Sequence, residues 1–420
     1  MANQNRKHTL VLHVNPDIEA CFMAHLFLAH EDVRDAYGVI DAPALKFIPG
    51  GPLRKEDWAG EADVTPRALE AKGYVFLDCG GGLLDQHGRP ENLMRNSISS
   101  LDLMVHVLEL DAHLPHLAPL MAIISDNDLF GEDVAPSHSV KNTATPHTPR
   151  HLRNMILGWN VLYKDAPAKV VRLASDAFGC IERCIDAASE DHPKDKSFKK
   201  FFLHAVLLAG ATAHFKTRVG LDADDEAMRM AASFSAACDD GLAALEKEWE
   251  RGCKDYWSGT KLRTVQVPKK TPEGIAYKTV TVAYGRSAST RFGAVTRFGN
   301  EGQLPEKPRR NKADVTIQFS GDGKFIISTK GIELDRVAKA IRETDLRRRG
   351  VNLDKPDVGL LDRSGHLRFT DAFGREQMAL YLAEYRTAFG NAFRANPMAE
   401  KTPLKEEEIV ELAVKALGQL

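Results

Sequence analysis

Short apolar runs alternate with helically spaced apolar positions from the start of the chain to about Glu132, the pattern of a parallel α/β sheet. The runs Thr9 to Leu12, Ala44 to Ile48, Tyr74 to Leu77 and Met121 to Ile124 read as strands. Between them, Ile18 to His30 reads as a helix with Asn15 as its N-cap and Pro16 at its first position. Ser97 to Leu110 reads as a second, with Ile98, Leu101, Met104, Val105 and Leu108 on one face. A turn-rich stretch from Val134 to Pro149 closes this region.

From His151 to about Lys254 the periodicity is helical throughout, with runs at Ala168 to Ala188, Phe201 to Phe215 and Asp224 to Trp249. The texture then changes. Leu262 to Val267, Tyr277 to Tyr284, Gly293 to Phe298, Val315 to Phe319 and Phe325 to Ser328 read as strands, and Gly321 to Gly323 supply turn chemistry for a hairpin between the last two. Helical patterns follow at Glu333 to Arg349, Gly374 to Phe393 and Leu404 to Leu417. The expected fold class is therefore α/β: a parallel-sheet domain over 1–150, a helical connector over 151–258 and a smaller α+β domain over 259–420, facing the first across a cleft.

Composition narrows the functional classes. The 420 residues carry 56 Lys and Arg against 58 Asp and Glu, a net charge of -2, which excludes a disordered tail and a globally basic nucleic-acid coat. No stretch reaches the ~18 consecutive apolar residues of a membrane span, and no long apolar run follows Met1 to His8, so no membrane partner and no export signal are expected. Six cysteines without zinc spacing, at 21, 79, 180, 184, 238 and 253, fit packing roles in a reducing cytoplasm.

The candidate chemistry lies at strand ends. His13, Asp17 and Glu19 sit where the first predicted strand turns into its helix, Asp78 ends another strand, and Asp126 and Asp128 follow a third. In parallel α/β sheets ligands bind beyond the carboxyl ends of the strands. Crowded carboxylates raise one another's pKa unless a cation compensates, so a divalent metal is the economical explanation, and oxygen donors mixed with imidazole suit Mn2+ better than Mg2+. The run Asp78-Cys79-Gly80-Gly81-Gly82-Leu83-Leu84-Asp85-Gln86-His87 has glycines that would fold Asp85 and His87 back toward Asp78.

This constellation resembles the DHH phosphoesterase superfamily, named for an Asp-His-His motif, over about residues 8–132. The resemblance implies that His13, Asp17 and Glu19 form a first motif, Asp78 a second, Asp85, Gln86 and His87 a catalytic third, and Asp126 or Asp128 a fourth, with Asp126 favoured. It further implies two Mn2+ ions, with Mg2+ as the substitute, held by His13, Asp17, Glu19, Asp78, His87 and Asp126. Gln86 departs from the family, because it stands where the first histidine of the triplet belongs and a neutral amide is a poor ligand. Either His87 takes over the ligand role, or one metal is weakened, or catalysis is lost.

The C-terminal region resembles the family's substrate domain but lacks its Gly-Gly-Gly-His loop. Arg291, Arg342, Arg347, Arg348 and Arg349 are the candidates for substrate phosphate, Phe292 and Phe298 for base stacking, and His138, His147 and His151 a weaker set for phosphate. The expected activity is metal-dependent hydrolysis of a phosphodiester in a short or single-stranded oligonucleotide or a cyclic nucleotide. The alternatives are phosphomonoester or pyrophosphate hydrolysis, and a degenerate domain acting as a nucleotide sensor or assembly module. The partner is a nucleotide or single-stranded nucleic acid, and the sequence also allows a homodimer.

Overall fold

The computed structural model describes residues 8–39, 42–49, 53, 55–86, 98–130, 151–188, 204–220, 222–298, 313–320, 325–329, 332, 334–348, 350 and 402–419, and the backbone of four strands between 368 and 395. The chain divides into two units, Met1–Glu246 and Lys247–Leu420.

The first unit is built on three parallel strands, with β1 (Thr9–His13) lying between β2 (Ala44–Ile48) and β3 (Tyr74–Phe76). Leu10, Val11 and Leu12 are fully buried, as a continuous apolar run in a central parallel strand must be. Helix α1 (Ile18–Ala29) follows β1 and is buried at every position from Ile18 to Phe27. The short α2 (Glu31–Tyr37) and α3 (Pro66–Glu70) flank the strands, and Trp58 and Leu69 cover the sheet around Val11, Ile48 and Phe76. After β3 come α4 (Ser100–Val107), α5 (Leu110–His113), α6 (Ala118–Phe130), α7 (Leu152–Leu162), α8 (Pro167–Ala188) and α9 (His204–Val219), then the long α10 (Asp224–Gly259).

The run Met121 to Ile124, expected as a strand, lies within α6. Leu117, Leu120, Met121 and Ile124 are buried, which is helical spacing; a four-residue apolar run carries too little periodicity to show this alone. The helices beyond residue 151 are not set apart from the sheet. α8 packs on α1, and one core runs from Leu10 through Trp159 and Phe178 to Leu242. No helix among the described residues is long and apolar enough to cross a membrane.

The second unit holds a six-stranded mixed sheet. The hairpin of β4 (Lys261–Thr271) and β5 (Gly274–Arg286) precedes α11 (Phe292–Phe298), β6 (Val315–Phe319), β7 (Phe325–Thr329) and α12 (Asp335–Arg348). Then come β8 (Arg368–Thr370), β9 (Glu376–Met378), β10 (Leu382–Thr387), β11 (Gly390–Ala395) and α13 (Glu406–Leu417). β6 and β7 pair antiparallel as expected, while the Gly321 to Gly323 turn lies outside the described residues. Ile341 of α12 and Ile409, Val410 and Ala413 of α13 share a core with Val282, Ile317 and Ile327 of the sheet.

Two expectations are corrected in this unit. Gly293 to Phe298 is helical, because Phe292, Val295 and Thr296 bury one face at i, i+3 and i+4, where the two apolar residues join Trp249 and Tyr256. The stretch expected as a helix over Gly374 to Phe393 instead contains β9, β10 and the start of β11. β11 completes a ladder on the edge of β7, with Phe393 opposite Ile327, and pairing with a distant strand overrides the local helical pattern.

α7 meets α10 at two glycines. A Cβ on Gly158 would stand 1.7 Å from the carbonyl oxygen of Gly241, and the adjacent Trp159 indole donates to the Ala237 carbonyl at 2.7 Å. Gly158→Ala is therefore expected to lower stability by at least ~1–3 kcal/mol in urea unfolding, the usual range for overpacking. Gly259→Ala, where nothing lies within 4 Å, is expected to leave the urea midpoint unchanged.

Candidate metal centre

β1 delivers His13 at its last residue, and the chain then turns into α1. Asp17, not Asn15, is the N-cap: its Oδ1 accepts from the Ala20 amide at 2.9 Å. Pro16 stays outside the helix, where its carbonyl accepts from Asn160 Nδ2 at 2.8 Å. A carboxylate at this position is favoured by the helix dipole.

β3 brings Asp78 to the same place, two residues beyond its end. Asp78 has φ of 54°, a left-handed conformation that costs a non-glycine residue of order 1–3 kcal/mol. Ser100 Oγ donates to Asp78 Oδ1 at 2.9 Å, and His13 Nε2 lies 3.7 Å from Asp78 Oδ2. One donor atom each from His13, Asp17 and Asp78 falls within 4.8 Å of the others.

Glu19 lies behind this cluster and is fully buried. Its Oε1 accepts from the Leu101 amide at 2.7 Å, while Oε2 is buried without a hydrogen-bond partner. Burial above all, and then the charges of Asp128, Asp78 and Asp17, push its carboxyl well above the ordinary range. A divalent cation reverses this repulsion. The donor set, two carboxylates and one imidazole beside a buried acid with an unpartnered oxygen, fits a hard divalent ion of the Mn2+ or Mg2+ class.

The glycine turn brings Leu84 back to Leu77 and Asp78, whose amide donates to the Leu84 carbonyl at 3.4 Å. Gly80 and Gly81 have φ of 76° and 77°, and a Cβ on Gly80 would stand 2.7 Å from the Phe76 ring. Asp85 closes the turn, its Oδ2 accepting from the Gly81 amide at 2.6 Å. Gln86 donates through its backbone to Ser100 Oγ at 3.1 Å and through Nε2 to Asp128 Oδ2 at 3.1 Å. The amide thus presents a donor to a carboxylate. His87 and the side chain of Asp126 lie outside the described residues. Asp128 reaches Gln86 from a helix rather than a strand end.

Ser100 was not a candidate from sequence, yet it touches both Asp78 and Gln86. The readable signal was its neighbour: Ser99 and Asp102 form a capping box, which fixes where α4 begins and hence where Ser100 and the Leu101 amide point.

The arginines belong to the second unit. Arg291 lies over the Trp249 ring, Arg347 is exposed, Arg348 pairs with Glu408 and Arg286 pairs with Glu406. The side chains of Arg297, Arg342 and Arg349, and all of Arg309 and Arg310, lie outside the described residues. Phe292 is fully buried and serves the core rather than stacking on a base; the side chain of Phe298 is not described. His151 is a buried N-cap whose Nδ1 accepts from the Arg153 amide, and burial, then Arg153, lowers its pKa to about 3, so it stays neutral and offers no charge to phosphate. His138 and His147 lie outside the described residues.

Ser100→Ala removes a hydrogen bond that orients Asp78 while keeping a good helix former at the first position of α4. It is expected to weaken Mn2+ binding by roughly 10–100-fold in calorimetric titration, the usual loss when a ligand's supporting partner goes. Unchanged affinity would mean that Asp78 is not a ligand.

No family model and no curated protein matches the chain. Among solved structures it is similar to an uncharacterised protein from Helicobacter pylori G27, at 9% identity over 98% of this chain and 100% of that one, with a TM-score of 0.26. A likeness this weak carries no argument about fold or function.

Proposed function

We propose that the chain is a divalent-metal-dependent phosphodiesterase of the DHH type, acting on short or single-stranded oligonucleotides or on cyclic nucleotides. The observation that supports this most is the meeting of His13, Asp17 and Asp78 at the carboxyl ends of two parallel strands, with Glu19 buried beside them. A bound divalent ion supplies Lewis acidity, lowering the pKa of water and neutralising a phosphoryl oxygen. The chain's own residues fix the geometry. Ser100 holds the Asp78 carboxylate, the Ala20 amide holds Asp17, and the Leu101 amide holds Glu19. His13 is partly exposed, so solvent and substrate can reach the imidazole end of the cluster.

One observation favours the non-catalytic alternative, a nucleotide sensor. Gln86 uses its amide to hold Asp128, where the family places a histidine ligand. Hydrolysis of single-stranded oligonucleotides and cyclic dinucleotides in Mn2+ separates the two readings. Product that disappears on chelation and falls by several orders of magnitude in Asp78→Ala supports the enzyme. Nucleotide binding with no turnover in the wild-type chain, and turnover appearing in Gln86→His, supports the sensor. Metal-independent turnover unaffected by Asp78→Ala contradicts both.

A further inference from the structure

The far end of α1 carries a second cluster, about eight residues and so ~12 Å along the helix from Asp17. His25 faces inward in the last part of α1, and His30 is the C-cap, whose extended backbone (φ -108°, ψ 117°) takes the chain out of the helix. Both rings present the same atom, Nε2, to one oxygen, Glu182 Oε1, each at 2.9 Å. The rings stand nearly perpendicular, at 89° with centroids 5.7 Å apart. Ser175 Oγ lies 2.9 Å from the other nitrogen of His25. Ser175 and Glu182 are two turns apart on α8, so one stripe of that helix supplies both.

One donor atom each from His25, His30 and Glu182 lies within 4.8 Å of the others, a spacing that also suits a metal ion. His25 is 1% exposed, and its ring sits against Phe22 and Phe178. With hydrogen bonds only, each Nε2–H donates to one of the two lone pairs of Glu182 Oε1. A metal ion in place of those protons gives each Nε2 lone pair its own bond, and leaves the His25 Nδ1–H to donate to Ser175, the usual outer support of a ligating histidine. Donor atoms of a tetrahedral zinc site lie ~3.3 Å apart, given bonds of ~2.0–2.2 Å, so the observed spacings need to open by only a few tenths of an ångström.

We propose that His25, His30 and Glu182 form a zinc site, with water as the fourth ligand, that ties α1 to α8. Two imidazoles and one carboxylate favour Zn2+ over Mn2+ and Mg2+, the reverse of the oxygen-rich cluster at the start of α1. His30 and Glu182 keep 17% and 11% of their side chains exposed, which leaves an entry path from solvent.

The test uses the full chain carrying Asp78→Asn, which weakens the first cluster. Titration with Zn2+ is expected to load one ion per chain and raise the melting temperature. Adding His30→Ala, at a partly exposed position, is expected to weaken this binding at least 100-fold, and Glu182→Gln to do the same. In the otherwise wild-type chain, His30→Ala is expected to remove one equivalent of zinc while Mn2+ affinity stays the same, so failure here is distinguishable from failure of the phosphodiesterase reading. Zinc stoichiometry that His30→Ala leaves unchanged in both backgrounds overturns the proposal, as does an Asp78→Asn chain that is folded by circular dichroism and takes up no Zn2+.

Discussion

A helix that is apolar on every side has to be enclosed, and the enclosure of α1 organises the first unit. Ten consecutive positions, Ile18 to Phe27, are buried, with α4, α6, α7 and α8 all in contact with the helix. At ~1.5–3 kcal/mol for each large side chain removed from water, Phe22, Met23, Leu26 and Phe27 make this packing a principal source of stability. It also places the polar groups. Asp17 and Glu19 ride on the first turn of the helix, His25 and His30 on its last, so the position of α1 sets both clusters.

The acids at the first turn are destabilising without a compensating charge. Glu19 is buried beside Asp17, Asp78 and Asp128, and burial and neighbouring charge both oppose its ionisation. Asp78 is held in a left-handed conformation by contacts on two sides, the Ser100 hydroxyl and the returning glycine turn. Strain and like-charge crowding at one point are costs, and a bound cation would convert both into a preorganised site.

Much of this was legible in the sequence, for identifiable reasons. Thr9 to Leu12 and Ala44 to Ile48 read as strands because buried parallel strands are continuous apolar runs, and His13, Asp17 and Asp78 follow from knowing where those strands end. What was missed depends on contacts between distant segments. Met121 to Ile124 and Gly293 to Phe298 are too short for period to separate helix from strand, and β10 and β11 exist through pairing onto β7. Ser100 matters only because α4 starts beside Asp78. The His25, His30 and Glu182 cluster joins residues 157 and 152 positions apart, which no local spacing announces.

The central claim is that His13, together with Asp17 and Asp78, binds a divalent ion directly. Pulsed electron paramagnetic resonance of the chain loaded with one equivalent of Mn2+ reads this at the atom level, because a directly bound imidazole nitrogen couples to the electron spin. The account predicts coupling from one imidazole, lost in His13→Gln at matched metal loading. Bound Mn2+ without nitrogen coupling, or coupling that survives His13→Gln, would contradict it.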